Sequence, residues 1–159
     1  MRTRVWHASR MDLRRIVPLF LGCAAFVSCE QVEVVEMRYP SDALYKQHAF
    51  AGRSLHGVAR VQYPDGVVES EGQWEHGVRV GLWTWRHPSG ALLMQGAFAR
   101  GLRQGVWTRW REDGTLLESG PWVEGGRHGR FEVGGGDGVV VADAWWERGS
   151  LVRVEARAR

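Results

Sequence analysis

Lysine is nearly missing from this chain: Lys46 stands alone among 21 basic residues, and the rest are arginine. Cysteine occurs only twice, at Cys23 and Cys29, so no disulfide framework supports the fold and a packed core has to. No apolar run reaches the roughly 20 residues that a membrane-spanning helix needs. A nucleic-acid binder is disfavoured as well. The formal net charge is +3, but Arg2, Arg4, Arg10, Arg14 and Arg15 face a single Asp12 within residues 1 to 28, which leaves 16 basic and 17 acidic residues beyond them. That remainder lacks the basic surface that nucleic acid requires.

Glycine is what the chain has in excess. Twenty-one of 159 residues is about twice the usual share of roughly 7%, which favours many turns over long helices. With 44% hydrophobic and 25% charged residues the composition is that of a folded protein of one modest domain.

Residues 1 to 28 read as a signal peptide, with Met11 as an alternative start. Arg14 and Arg15 precede an apolar stretch from Ile16 to Val27, followed by Ser28 and Cys29. Phe26-Val27-Ser28-Cys29 resembles the lipobox of bacterial lipoproteins, in which the cysteine receives lipid and becomes the mature N-terminus. Phe26 stands where that motif usually has Leu. Phe20-Leu21-Gly22-Cys23 is a competing site, preceded by a much shorter apolar stretch, so Cys29 is the preferred lipid attachment residue. Ordinary cleavage after Ala25 and an uncleaved anchor are the other readings. Residues 29 to 38, with Glu30, Glu33 and Glu36, then form a lipidated N-terminus and acidic tether.

From Tyr39 onward the chain repeats every 24 residues, in copies at 39–62, 63–86, 87–110, 111–134 and 135–158. Such a period marks a structural unit rather than a single binding motif. Position 12 of the copies is Phe50, Trp74, Phe98, Trp122 and Trp146. Position 6 is Leu44, Val68, Leu92, Leu116 and Val140. Glycines recur at position 4 (Gly66, Gly90, Gly114, Gly138), position 15 (Gly77, Gly101, Gly125, Gly149) and position 19 (Gly57, Gly81, Gly105, Gly129), and all three sets read as turns. "YPDG" and "HPSG" place Pro second in a tight turn that Gly closes. Each copy is thus expected to be a hairpin, with strands over positions 5 to 12 and 19 to 24. Val68, Ser70, Gly72 and Trp74 then share one face, as do Trp83 and Trp85 on the return strand. Gly72, Gly96 and Gly120, two residues before an aromatic, leave bare backbone on which a ring can lie. The aromatic columns, Phe50, Trp74, Phe98, Trp122 and Trp146 together with Trp83, Trp107 and Phe131, are the expected core.

"EGQWEHGVRVGLW", "QGAFARGLRQGVW" and "SGPWVEGGRHGRF" resemble MORN repeats, and the "YPDG … EGQWEHG … G-x-W" layout is most similar to the variant repeats of bacterial YwqK-family antitoxins. The resemblance covers about 120 residues and implies an all-β fold, an elongated antiparallel meander of five hairpins. It also implies an attachment or interaction surface rather than an enzyme. The first copy departs at Arg53, where Gly is expected, and the last at Arg153 and Glu155, so the end copies are expected to act as caps.

Chemistry is thinly represented. His48, His56, His76, His87 and His128 fall at unrelated repeat positions, without metal-ligand spacing, and no metal or cofactor is expected. "GGGDG" at 134–138 has no Lys-Ser/Thr after it and keeps register with the other turns, so it reads as a hairpin turn rather than a phosphate loop. Glu69, Glu71 and Glu75 alternate along one strand and read as its solvent face. Two tryptophans break their columns: Trp110 at position 24, among Gln62, Arg86, Gly134 and Ala158, and Trp145 at position 11, among Ala49, Gln73, Ala97 and Pro121. They are the candidate partner-binding residues, with edge rings covering a neighbouring strand as the plainer reading.

The sequence therefore leads to a lipoprotein of the bacterial cell envelope, facing periplasm or exterior, whose repeat sheet binds or scaffolds another protein. An antitoxin or immunity protein that binds a toxin is the first alternative, and a binder of cell-wall polymer the second.

Overall fold

The structure, a computed structural model, describes residues 13–18, 32–39, 41 and 43–158, with side chains from Val32 onward. Cys23, Cys29 and, apart from residues 13–18, the segment read as a leader lie outside the described residues. The described elements are all strands: β1 (Leu13–Pro18), β2 (Val32–Arg38), β3 (Leu44–Ala51), β4 (Ser54–Gln62), β5 (Val68–Glu75), β6 (Val78–Arg86), β7 (Leu92–Ala99), β8 (Leu102–Trp110), β9 (Leu116–Val123), β10 (Gly126–Arg127), β11 (Gly129–Gly134), β12 (Val140–Glu147) and β13 (Ser150–Ala156). They form one antiparallel sheet in chain order. β10 and β11 are two pieces of one interrupted strand, and both pair with β9. The sheet also runs ahead of the repeats, because β2, in the segment read as a tether, pairs with β3 and with β1.

Two turn types alternate at the two ends of the strands. At one end, Gly66 N–H donates to Tyr63 carbonyl (2.9 Å), Tyr63 N–H donates to Val67 carbonyl (2.8 Å), and Asp65 Oδ1 accepts from Val67 N–H (3.0 Å). The same pattern recurs at His87, Arg111 and Gly135, so "GGGDG" is a hairpin turn. At the other end, two-residue loops carry positive φ at both places, as in His76 (47°) and Gly77 (81°). A type I′ turn demands this, and its twist suits the flanking strands. The first copy reverses the order, with Gly52 at φ 58° ahead of Arg53, the pattern of a type II′ turn. Arg53 is therefore accommodated without a left-handed backbone.

The glycines at position 19 are not turn residues. Gly57, Gly81 and Gly105 lie inside β4, β6 and β8, and Gly129 opens β11, all with positive φ. Each belongs to a bulge: Glu71 and Gln73 are two residues apart while their partners Thr84 and Val80 are four apart. Return strands accordingly begin at position 16, earlier than the sequence suggests, and carry two extra residues. Two extra residues keep the side chains in phase. The fifth copy has Arg153 in place of that glycine, and its bulge holds one extra residue, since Trp145 and Trp146 pair with Arg153 and Leu151. A one-residue offset moves all that follows to the opposite face. Arg157 thus meets Asp143 and Glu132 on the face away from the rings.

The two faces differ in chemistry. One holds the aromatic columns. On the other, registered pairs join Gln47, Arg60, Glu71, Thr84, Gln95, Thr108, Ser119, Glu132 and Asp143 into a polar file across nine strands, β3 to β12, with β10 excepted. Neighbours within it bond directly: Arg60 to Glu71 (3.2 Å), Gln95 to Thr84 (3.2 Å) and Thr108 to Ser119 (2.9 Å). Cross-strand pairs of this kind each add a few tenths of a kcal/mol, up to about 1. Glu71, read as a solvent-facing carboxylate, is a member of the file.

Candidate functional site: an aromatic and arginine ladder

The rings of position 12 and position 21 interleave along the sheet because bare glycine backbone lets them lie flat. A β-carbon on Gly72, Gly96 or Gly120 would stand within the ring of Trp83, Trp107 or Phe131 respectively. These three rings are the buried ones, at 4%, 3% and 1% exposure. The indole N–H groups of Trp83 and Trp107 are satisfied by the carbonyls of Gln73 and Ala97, both at 3.1 Å. The position-12 rings, expected to be equally buried, are only half-buried. They lean edge-on against the buried set: Trp74 against Trp83 (5.7 Å, 89°), Phe98 against Trp107 (5.0 Å, 87°), Trp122 against Phe131 (6.5 Å, 71°) and Trp146 against Phe131 (6.2 Å, 64°). Edge-to-face packing sets the positive ring edge against the negative face. Trp85, absent from the expected core, bridges successive copies, 5.7 Å from both Trp83 and Trp107. Phe50 stands apart from this ladder, with His48 as its ring neighbour at 6.5 Å.

An arginine column threads the rings, and sequence reasoning missed it. Position 17 is Arg79, Arg103 and Arg127 in the three middle copies, a regularity visible in the sequence once the copies are aligned. The Arg79 guanidinium lies 5.2, 4.8 and 5.6 Å from the centres of Trp74, Trp83 and Phe98. Arg103 lies over Trp107 (4.3 Å) and Trp122 (4.6 Å), and Arg127 over Phe131 (5.0 Å) and Trp146 (4.6 Å). Cation–π contacts of about 0.5–1 kcal/mol each, more when desolvated, hold these cations in place.

Among the described residues only Arg127 of the three has a carboxylate partner. Glu118 pairs with Arg127 (2.8 Å) and Arg109 (3.3 Å). Arg103 forms no ion pair among the described residues; it donates to the Met94 sulfur at 3.9 Å. Burial lowers its pKa first, and the like charges of Arg109 and Arg127 lower it further, with Glu118 opposing only in part. Arg103, Arg109, Arg127, Glu118, Met94 and Leu93 line a shallow concavity of about 260 Å³. It offers three guanidinium groups against one carboxylate, beside half-exposed rings.

A second regularity pins the Pro-turn end of the sheet. The position-1 side chains donate across each hairpin to the carbonyl 23 residues on: Tyr39 to Gln62 (3.0 Å), Tyr63 to Arg86 (2.9 Å), His87 to Trp110 (3.2 Å) and Arg111 to Gly134 (2.7 Å). Burial pushes the Tyr39 and Tyr63 hydroxyl pKa values up, so both stay protonated donors.

Trp110 and Trp145 are both half-buried, and neither touches a ladder ring. They lie on β8 and β12, three strand steps apart and toward opposite ends of the strands, so they do not form one patch. Trp145 is roofed by Arg153 at 4.0 Å. It continues a row that includes exposed Val58, Leu82 and Val106 on the face opposite the ladder. Among the described residues no three His, Cys, Asp or Glu side chains are placed to hold a metal ion. No family model and no curated protein matches the chain.

Proposed function

We propose that this protein is an extracytoplasmic, membrane-anchored lipoprotein whose repeat sheet displays the aromatic and arginine ladder to an acidic protein partner. The observation that carries the reading is the state of Arg79 and Arg103. Each is held over tryptophan rings without a carboxylate partner among the described residues. Trp and Arg dominate binding hot spots, and a side chain ordered before binding loses little entropy on contact. The anchor rests on the lipobox resemblance at Cys29, and the MORN-like, YwqK-like layout supports an interaction role.

Two measurements test this. Cys29→Ser should abolish palmitate labelling and either release the chain from the membrane fraction or leave it unprocessed; labelling that persists here but vanishes in Cys23→Ser moves the anchor. Affinity capture from the native envelope extract should recover a partner that Arg79→Gln/Arg103→Gln loses. Recovery of wall polymer instead of protein would favour the polysaccharide reading. A toxin that the protein neutralises on co-expression would favour the antitoxin reading.

A further inference from the structure

We propose that two copies of this chain join through β13 into one continuous sheet, paired antiparallel about a two-fold axis at Val154. No described strand covers this edge. Every residue of β13 is exposed, and Leu151 (52%), Val152 (64%) and Val154 (57%) are large and apolar. Sheet edges are ordinarily blunted by lysine, proline or inward-pointing charge, and the ends of repeat arrays carry polar outer faces. β13 has neither lysine nor proline, and its bulge lies at its start. The outer strand of the last copy, which the sequence reads as a cap, has the composition of one that goes on pairing.

The hydrogen-bond phase of β13 selects the axis. Arg157 N–H donates inward to Val141 carbonyl at 2.8 Å. Bonding direction alternates along an antiparallel strand, so Glu155 and Arg153 also bond inward to β12. Val154 and Ala156 then point their N–H and C=O groups outward, unpaired. A two-fold axis at Val154 lets the two Val154 residues exchange both bonds.

The side chains fit that register. It sets Arg153 opposite Glu155 of the second copy, and Glu155 opposite the second copy's Arg153, on one face, while the two Val154 side chains meet on the other. Within one copy Arg153 and Glu155 pair with each other at 2.9 Å, both more than half exposed; the dimer exchanges these contacts for two cross-strand ones. Moving the axis to Ala156 would set Glu155 against Arg157, which Asp143 (2.8 Å) and Glu132 (2.9 Å) already hold. Because the axis is perpendicular to the sheet, both ladders fall on the same face of the doubled sheet. The contact is self-complementary and closed, so it stops at two copies.

Sedimentation of the full chain carrying Cys29→Ser, so that no lipid contributes, tests the proposal. The expected mass is that of a dimer. Val154→Pro removes an N–H that has no partner within one copy, and should give a monomer that still unfolds cooperatively. Glu155→Arg sets arginine against arginine and should also give monomer, while Arg153→Glu/Glu155→Arg restores the dimer. A native chain that stays monomeric up to its solubility limit overturns the proposal. So does a dimer that survives both Val154→Pro and Glu155→Arg, or a charge swap that fails to restore association.

Discussion

The ring of Trp107 occupies the space that a β-carbon on Gly96 would need. Ring and glycine are one packing unit. Gly96→Ala should therefore cost about 1–3 kcal/mol through overpacking, and Trp107→Ala about 3–5 kcal/mol through the cavity left by a 3%-exposed ring. Combined, the two changes should cost clearly less than their sum, because the added methyl enters space the lost ring has vacated. Chemical denaturation of the two single variants and the double variant measures this; simple additivity would show that the two sites are independent.

The tryptophans should rank by burial. Trp107→Ala is expected to lower stability most and Trp122→Ala less, since the latter ring is half-buried. Trp110→Ala and Trp145→Ala are expected to cost about 1 kcal/mol, an ordinary point-mutation effect. Thermal melts give the order. If Trp145→Ala melts with Trp107→Ala, the ring under Arg153 supports the fold and is not free to meet a partner.

Much of the fold could be read from the chain because a hairpin repeat writes its turns and its facing into the same 24 positions. Gly66 closes its turn and Gly72 admits a ring as the local pattern requires. Gly81 was misread because a bulge glycine and a turn glycine leave the same mark: φ of 66° and 81° at Gly81 and Gly77 are indistinguishable in sequence. The site was less legible. Arg79, Arg103 and Arg127 look like ordinary surface charge until the register places them over rings on neighbouring strands. Trp110 and Trp145 stood out in sequence, but three strand steps separate them.

Deleting residues 87 to 110 should leave a shorter folded protein, because one whole period preserves turn type, facing and strand direction. Removing only 87 to 98 takes out β7 and reverses every strand that follows, which strands the apolar columns without neighbours. Circular dichroism melts should show a cooperative transition for the first and none for the second. Equal behaviour of the two would mean that the 24-residue unit is wrong.

Asp143 should give the sheet an acid-sensitive clamp. Its hydrogen bonds from Arg157, and then those from Arg130, hold its pKa down to about 2. The folded value lies below the ordinary carboxylate value of about 3.9, so the contribution is full above that pH and is lost as pH falls through about 2. Arg157→Leu should move the Asp143 carboxyl titration upward by carbon-detected NMR. The difference in melting temperature between the native chain and the variant should be largest near neutrality and shrink toward pH 2. A gap that does not shrink would mean that Arg157 acts through packing and not through charge.

The pairing of each strand only with its neighbours in the chain determines how the molecule responds to load. Among the described strands no crossover ties distant parts together, so β13 can peel from β12 and each hairpin can follow in turn, with hydrogen bonds breaking a few at a time instead of all at once in shear. The bonds from Tyr39, Tyr63, His87 and Arg111 across successive hairpins act as stitches along one end of this zipper. A pull between the first and last strands would therefore meet a series of small, similar resistances, spaced by one repeat, and the chain would lengthen in steps before it lost its order.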